Sequence, residues 1–339
     1  MVRIFEKLNI QLKGRIGLKV HSGEAGGKYF LSPDFLQEIY DYTNGTFIEC
    51  NAAYNGSRNT TENHRQLLKE HGWVANDRRT VIMDENCSND FNLTIDNPEM
   101  IKENIVGEHL KDFDSCIVLA HFKGHPMGGF GGSLKQLSIG FASQAGKTWI
   151  HTVGNITNWE DMDYYLANDL NFTSAMGDAA SSIVNYFRKR GGIAFINVMS
   201  NISLYCDCAG DLAPEPKIHD IGILASTDPV AIDRACLDLI KKHVDNGTDE
   251  LLEQIRNLTG ENIITVAEKH GIGSQKYNLI DIDKEDMPFQ GSATGLIVFI
   301  CIIFGAVSIA ILLAFCLNKK SRESKESSNS MSLVEAKEE

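Results

Sequence analysis

Short runs of aliphatic and β-branched residues recur along the chain, and between them apolar residues return every three to four positions. The runs predict strands at 15–20 (RIGLKV), 46–50 (TFIEC), 79–84 (RTVIMD), 115–120 (SCIVLA), 193–199 (IAFINVM), 221–225 (IGILA) and 277–282. The longer spacing predicts helices at 33–43, 60–71, 99–111, 173–189, 229–243, 248–257 and 262–270. Several strand runs are hydrophobic without alternation, as strands covered on both faces are. Strands alternating with helices predict an α/β fold with a mainly parallel sheet covered by helices. Ser32-Pro33 and Asp228-Pro229 read as helix starts, an oxygen acceptor followed by a residue that needs no N–H partner. Thr60 or Thr61 caps the helix that Gly72 stops. The glycine-rich loop near 130 and the stretch 152–172 mark a candidate seam between two lobes.

One segment departs from this pattern. Residues 293–317, ATGLIVFICIIFGAVSIAILLAFCL, carry no charge over 25 positions. As a helix they would reach roughly 37 Å, enough to span a bilayer with some tilt. A soluble helix keeps a polar stripe, and this segment has none. It is predicted to be a single C-terminal transmembrane helix following an α/β domain over 1–287. Lys319, Lys320 and Arg322 follow the span and Asp281, Asp283, Glu285 and Asp286 precede it. The charge bias places the tail 318–339 in the cytoplasm and the large domain outside or in a lumen. The tail, rich in Ser, Lys and Glu, reads as disordered. Ten N-x-S/T acceptor motifs, starting at Asn44, Asn55, Asn59, Asn86, Asn92, Asn155, Asn171, Asn201, Asn246 and Asn257, point the same way. About three would arise by chance, so a glycosylated domain is expected; NGT and NGS also make good turns. The first residues, MVRIFEKLNIQLKG, are too charged for a signal peptide. Either a preceding stretch is missing, or the helix is a tail anchor with the domain in the cytosol.

The 339-residue chain is 43% apolar and 23% charged, a folded-protein composition. Its net charge of −13 argues against nucleic acid as a partner. Of the 8 cysteines, Cys301 and Cys316 lie in the apolar span, and Cys50, Cys87, Cys116, Cys206, Cys208 and Cys236 precede it. No CxxC occurs, so a ferredoxin-type iron–sulfur cluster is not expected.

The densest chemistry lies at 121–140, HFKGHPMGGFGGSLKQLSIG. It holds two histidines four apart, six glycines, and no acidic residue. His121 closes a predicted strand, and sites in open α/β sheets collect at such strand ends. Glycines let backbone N–H groups approach an anion, which makes Gly128, Gly129, Gly131 and Gly132 candidates for cofactor or ligand binding. Lys135 adds a charge or a nucleophilic amine. His125 and His151 offer an acid, a base or metal ligands, with His151 and His121 the candidate metal ligands. The loop matches neither GxxxxGK[ST] nor GxGxxG. A tight loop whose histidines bond to backbone is the plainer alternative.

The chain resembles the family called domain of unknown function 362 over residues 3–283. The resemblance rests on KVHSGEAGG (19–27), ECNAAYNGSR (49–58), HFKGHPMGGFGGSLKQLSIGFASQAGK (121–147), FINVMSNISLYCDC (195–208) and DIGILASTDPVAIDRACLDL (220–239). Many relatives carry two ferredoxin-like cysteine clusters after the position of His151. This chain has no such insert, so electron transfer through clusters is not implied. Relatives also begin with one more strand, which implies a missing start. More distantly, the chain is similar to nickel-pincer lactate racemases, which carry H-x3-GF-x-GG-x-K and then a histidine. His125, Lys135 and His151 fall at that spacing, ten and then sixteen, with the glycines shifted by one. The resemblance implies proton transfer at His125, covalent cofactor attachment at Lys135 and metal ligation at His151. The racemases' other catalytic histidine and their phosphate-binding motif find no clear match.

Secondary candidates complete the reading. His21 and Glu24 flank GEAGG and form a second wall or a plain turn. Arg58 pairs with a substrate anion or sits on the surface. Cys206-Asp207-Cys208 is a metal or vicinal-thiol site, or a packed or disulfide-bonded pair. Asp228 is a helix cap. Two functional classes follow. One is a metal- or cofactor-dependent enzyme acting on a small anionic metabolite, including 2-hydroxy-acid chemistry. The other is a non-catalytic metal- or anion-binding, or surface interaction, protein.

Overall fold

The structure, a computed structural model, describes residues 1–85, 90–283 and 297–301. Its strands are β1 (Ile16–Lys19), β2 (Thr46–Glu49), β3 (Thr80–Ile82), β4 (Phe91–Thr94), β5 (Glu103–Val106), β6 (Ser115–His121), β7 (Lys123–His125), β8 (Gly129–Gly131), β9 (Gly192–Met199), β10 (Gly222–Ser226), β11 (Asn278–Asp281) and β12 (Ile297–Cys301). Eight of them form one sheet in the order β11-β12-β10-β9-β6-β1-β2-β3. From β3 through β9 every pairing is parallel. β10 runs antiparallel to β9 and β12, and β11 pairs parallel with β12.

The unbroken hydrophobicity of the central strands has its cause in this sheet. Successive side chains point to opposite faces. Cys116, Val118 and Ala120 of β6 and Phe195 of β9 enter a core that includes residues of the helices Asp169–Arg188 and Pro229–Lys242. Ile117 and Leu119 of β6, with Ala194, Ile196 and Val198 of β9, enter a second core with Ile39 and Leu68 of the helices Gln37–Thr43 and Thr61–Glu70. Both faces are covered, so neither tolerates a polar stripe. The α/β, mainly parallel reading therefore holds.

Caps behave as the residues suggest. Asp228 accepts from the N–H groups of Val230 and Ala231, both at 2.8 Å. Thr60 accepts from Asn63 at 3.2 Å. The first helix start is displaced: Ser32 accepts from Phe35 in a preceding turn, and regular helix begins at Gln37. The helix predicted at 99–111 is instead strand β5 followed by a 3-10 turn, Glu108–Asp112. Asn104 explains the error. It is fully buried and donates to the carbonyl of Ala179 at 3.4 Å and to Ser182 Oγ at 3.1 Å, so a polar residue occupies an inward strand position. The helix Gln144–His151 was not predicted, because Gly146 and Thr148 dilute its pattern; Ser143 caps it.

Residues Met1–Cys301 form one compact unit, so 152–172 is not a boundary between lobes. Among the described residues no helix is long and apolar enough to cross a membrane. Of the predicted span 293–317, residues 297–301 are strand β12 and the rest lie outside the described residues, as do the tail 318–339 and the acceptor Asn86. Other acceptor asparagines, among them Asn55, Asn92, Asn155 and Asn257, are exposed.

Candidate functional site

The cleft lies where parallel strands end. His21 follows β1, His121 closes β6, and the chain then makes a small antiparallel hairpin of β7 and β8, in which Lys123 faces Gly131 and His125 faces Gly129. The loop expected to cradle an anion is thus largely a hairpin. It leads into a helical turn, Ser133–Lys135, that continues as a π-helical turn, Gln136–Gly140. Lining the cleft, which with the solvent at its mouth holds about 360 Å³, are His21, His121, Lys123, His125, Lys135, Gln136 and Cys206, with Ala120, Gly131 and Gly132.

Buried carboxylates and close backbone contacts hold this wall. Asp233, fully buried, accepts from the N–H groups of Ser133 at 2.8 Å and Leu134 at 2.9 Å and from Asn197 Nδ2 at 2.7 Å. It seats the turn that carries Lys135. Burial pushes its carboxyl up to about 6, against those hydrogen bonds. A Cβ on Gly132 would lie 2.5 Å from Asp233 Oδ1, so this glycine serves close packing. A Cβ on Gly124 would collide with the Leu204 carbonyl in the same way, and the Gly124 N–H donates to the Ser203 carbonyl at 2.7 Å. Gln254 ties the carbonyls of His125, Gly129 and Leu204 together. Of the four candidate glycines, Gly131 and Gly132 line the cleft. Gly128 packs near Met176, and Gly129, at φ +75°, against the backbone of Gly260 and Ile255.

Lys135 carries an unpartnered amine into the cleft. Its amine has no hydrogen-bond or ionic partner among the described residues. Burial, then the charges of Lys123, Arg58 and Lys147, lower it to about 7, against the pull of Asp207. A substantial fraction of the molecules therefore carries a neutral, nucleophilic amine near neutral pH.

His125 is held in one tautomer. Its Nδ1 accepts from the N–H groups of Met127 at 3.2 Å and Gly128 at 3.0 Å, so Nε2 carries the ring proton. Burial, then Lys135 and His151, keep the ring well below its ordinary pKa, and hence neutral. The expected proton-transfer residue is by this geometry a neutral Nε2–H donor.

His151 is buried and stacks on Phe172 with ring centroids 4.3 Å apart. Burial, then Lys135 and Lys147, lower it to about 3. Its Nδ1 is buried without a hydrogen-bond partner, which normally costs about 1–3 kcal/mol. His151 is not among the residues that line the cleft, but its neutral imidazole has an unused nitrogen and feels the charge of Lys135, so it fits as a ligand for a metal-bearing cofactor attached there. His121 does not fit as a ligand. Its Nδ1 contacts Asp207 at 3.0 Å and its Nε2 faces the Ser200 carbonyl at 2.7 Å, leaving no lone pair for a metal.

Arg58 is buried behind the cleft and committed to protein partners. It bonds Glu49 at 2.9 Å, Glu24 at 3.3 Å and Tyr54 at 2.7 Å, and its Nη2 lies 3.2 Å from His21 Nε2. It braces the second wall, which includes the predicted His21. Burial, then Arg58, hold His21 well below its ordinary pKa.

Sequence reasoning passed over Lys123 and Asp207 as a pair, and Gln136 and Asp233 altogether. Lys123 Nζ lies 2.5 Å from Asp207, which also holds His121. Burial alone would raise the Asp207 carboxyl, but His121 and Lys123 hold it well below the usual range. Cys206 and Cys208, on either side, are joined as a disulfide. Lys123 and Asp207 each lie inside a quoted motif, so the signal was present, but their pairing crosses more than eighty residues.

The family model described as Domain of unknown function (DUF362) matches residues 16–238. No curated protein matches the chain. Among solved structures it is similar to the lactate racemase apoprotein from Thermoanaerobacterium thermosaccharolyticum, with 16% identity and a TM-score of 0.35 over 57% of this chain and 44% of that one. It is also similar to a protein from Thermotoga maritima, with 14% identity and a TM-score of 0.39 over 82% of this chain and 58% of that one. The chain thus spans less than two thirds of the length of either. Since the family model covers well over half of its residues, among them the cleft hairpin and the turn that carries Lys135, the chain belongs to the DUF362 family.

Proposed function

We propose that the cleft is the active site of an enzyme acting on a small anionic metabolite, a 2-oxo or 2-hydroxy acid, through the amine of Lys135. The observation that carries this reading is an amine without a protein partner, lowered to about 7, lining a cleft with Lys123 and His125. Lys123 and the protonated fraction of Lys135 draw the carboxylate in. The neutral fraction supplies a nucleophile for a carbonyl carbon or an attachment point for a cofactor. His125 Nε2–H donates to the substrate oxygen as negative charge develops there. A metal-bearing cofactor fixed at Lys135 would find a protein ligand in His151, and such a group supplies hydride or proton chemistry at the 2-carbon. Burial of His125 and His151 keeps both imidazoles neutral for these roles.

The test is reductive trapping. The full chain, incubated with pyruvate and cyanoborohydride at pH 7, is expected to gain one adduct, mapped by peptide mass to Lys135. Lys135→Arg is expected to abolish it. Protein from its native cell is expected to show either this free amine or a cofactor mass on the same residue. A native chain that gains no adduct and carries no modification at Lys135 would refute the reading.

A further inference from the structure

Cys206, Asp207 and Cys208 bring a second chemistry into the same cleft. The disulfide joins residues two apart, so it closes almost no chain, and its effect on the unfolded state is small compared with a bridge across a long loop. Its position is informative. Cys206 lines the cleft, while Cys208 is only partly buried. A ring nitrogen of His125 and both sulfurs lie within 4.8 Å of one another. Asp207, between the two cysteines, is fixed by His121 at 3.0 Å and Lys123 at 2.5 Å, so the loop is anchored whether or not the sulfurs are bonded. The Cys208 N–H donates to Cys206 Sγ at 3.3 Å.

Three ligand-type atoms this close also suggest a metal site. The hydrogen bonds of His125 argue otherwise. With Nδ1 taken by two backbone donors, Nε2 holds the proton, so neither ring nitrogen offers a metal a free lone pair. Lys123 offsets the Asp207 carboxylate between the two cysteines, and the protonated fraction of Lys135 adds positive charge, the setting in which thiolates are stabilised.

We infer that this cleft carries out thiol–disulfide exchange at Cys206–Cys208 with a small anionic thiol. A substrate thiolate attacks Cys206 Sγ. The bond between substrate sulfur and Cys206 forms as the Cys206–Cys208 bond breaks, and the electron pair leaves on Cys208 Sγ, which takes a proton from water. A second substrate thiolate attacks the substrate sulfur of the mixed disulfide, giving the substrate disulfide and releasing Cys206 as a thiolate. Two thiols are oxidised and the protein disulfide is reduced to a dithiol; a substrate disulfide runs the steps in reverse. The activity does not depend on the amine chemistry of Lys135.

Reduced glutathione serves as the probe, with the full chain quenched by acid and the peptide holding both cysteines read by mass. The native disulfide is expected to be reduced at least about tenfold faster than the same disulfide in the urea-unfolded chain. Cys208→Ser, offered oxidised glutathione, is expected to accumulate the mixed disulfide on Cys206. His125→Gln is expected to slow exchange severalfold and leave the equilibrium ratio unchanged. Reduction no faster than in the unfolded chain would overturn the inference. So would a reduced chain that binds one equivalent of zinc on the two thiolates and then ceases to exchange.

Discussion

Replacing Lys135 by methionine should make this protein more stable. Holding the amine near 7 instead of 10.5 corresponds to about 4.8 kcal/mol against its charged form. The folded value lies below the unfolded one, so the penalty is absent above pH ~10.5, grows as pH falls and is complete below about 7. At pH 7 it amounts to ~4 kcal/mol. Lys135 is partly open to water, and discounting by half for solvent screening leaves about 2 kcal/mol. Methionine keeps the length and apolar stem, so packing against Gly131 changes little. For a compact unit of this size the gain corresponds to roughly 3 °C in Tm. The assay is thermal unfolding of the full-length wild-type chain and Lys135→Met from pH 6 to 10.5. The gain should be largest at pH 6–7 and shrink towards zero at the alkaline end. A variant that is less stable at pH 7, or a gain independent of pH, would refute the claim that an unpaired, desolvated amine sits in the cleft.

Other expectations follow from the same contacts. Gly132→Ala puts a methyl against Asp233 and should cost about 1–3 kcal/mol in a denaturant melt, with loss of pyruvate trapping at Lys135; unchanged trapping would show that this packing does not position the amine. Asp228→Ala removes the cap of Pro229–Lys242 and the bond to the Ser274 N–H at 2.8 Å, and should lower stability by about 1–3 kcal/mol. Asp178→Ala should cost at least as much, because that buried carboxylate holds the N–H groups of Glu99, Met100 and Ile101, and His270 besides. From the sequence of 293–317, the full-length chain should remain with membranes through alkaline carbonate extraction, and deglycosidase should increase its mobility; recovery in the supernatant with no mobility change would refute both expectations.

The sequence by itself determined the layered α/β architecture. Its central strands are apolar on both faces because helices cover both, and that property survives in a one-dimensional pattern. Local signals also carried through: Asp228 and Thr60 cap the helices they were assigned. It brought His125 and Lys135 to one cleft, because they lie ten positions apart in a hairpin and the turn that follows it; His151 does not line that cleft and is close enough only to feel the charge of Lys135. What failed was whatever depended on partners distant in sequence. Asn104 is an inward strand residue only because helix Asp169–Arg188 offers it acceptors, so its polarity misled the periodicity. Arg58 reads as an anion binder until Glu24, Glu49 and Tyr54 are seen to use its donors. His121 reads as a metal ligand until Asp207 and Ser200 take both nitrogens. The tautomer of His125 and the amine's lowered pKa follow from backbone placement and desolvation. Both arise from tertiary packing, and neither leaves a mark on residue order.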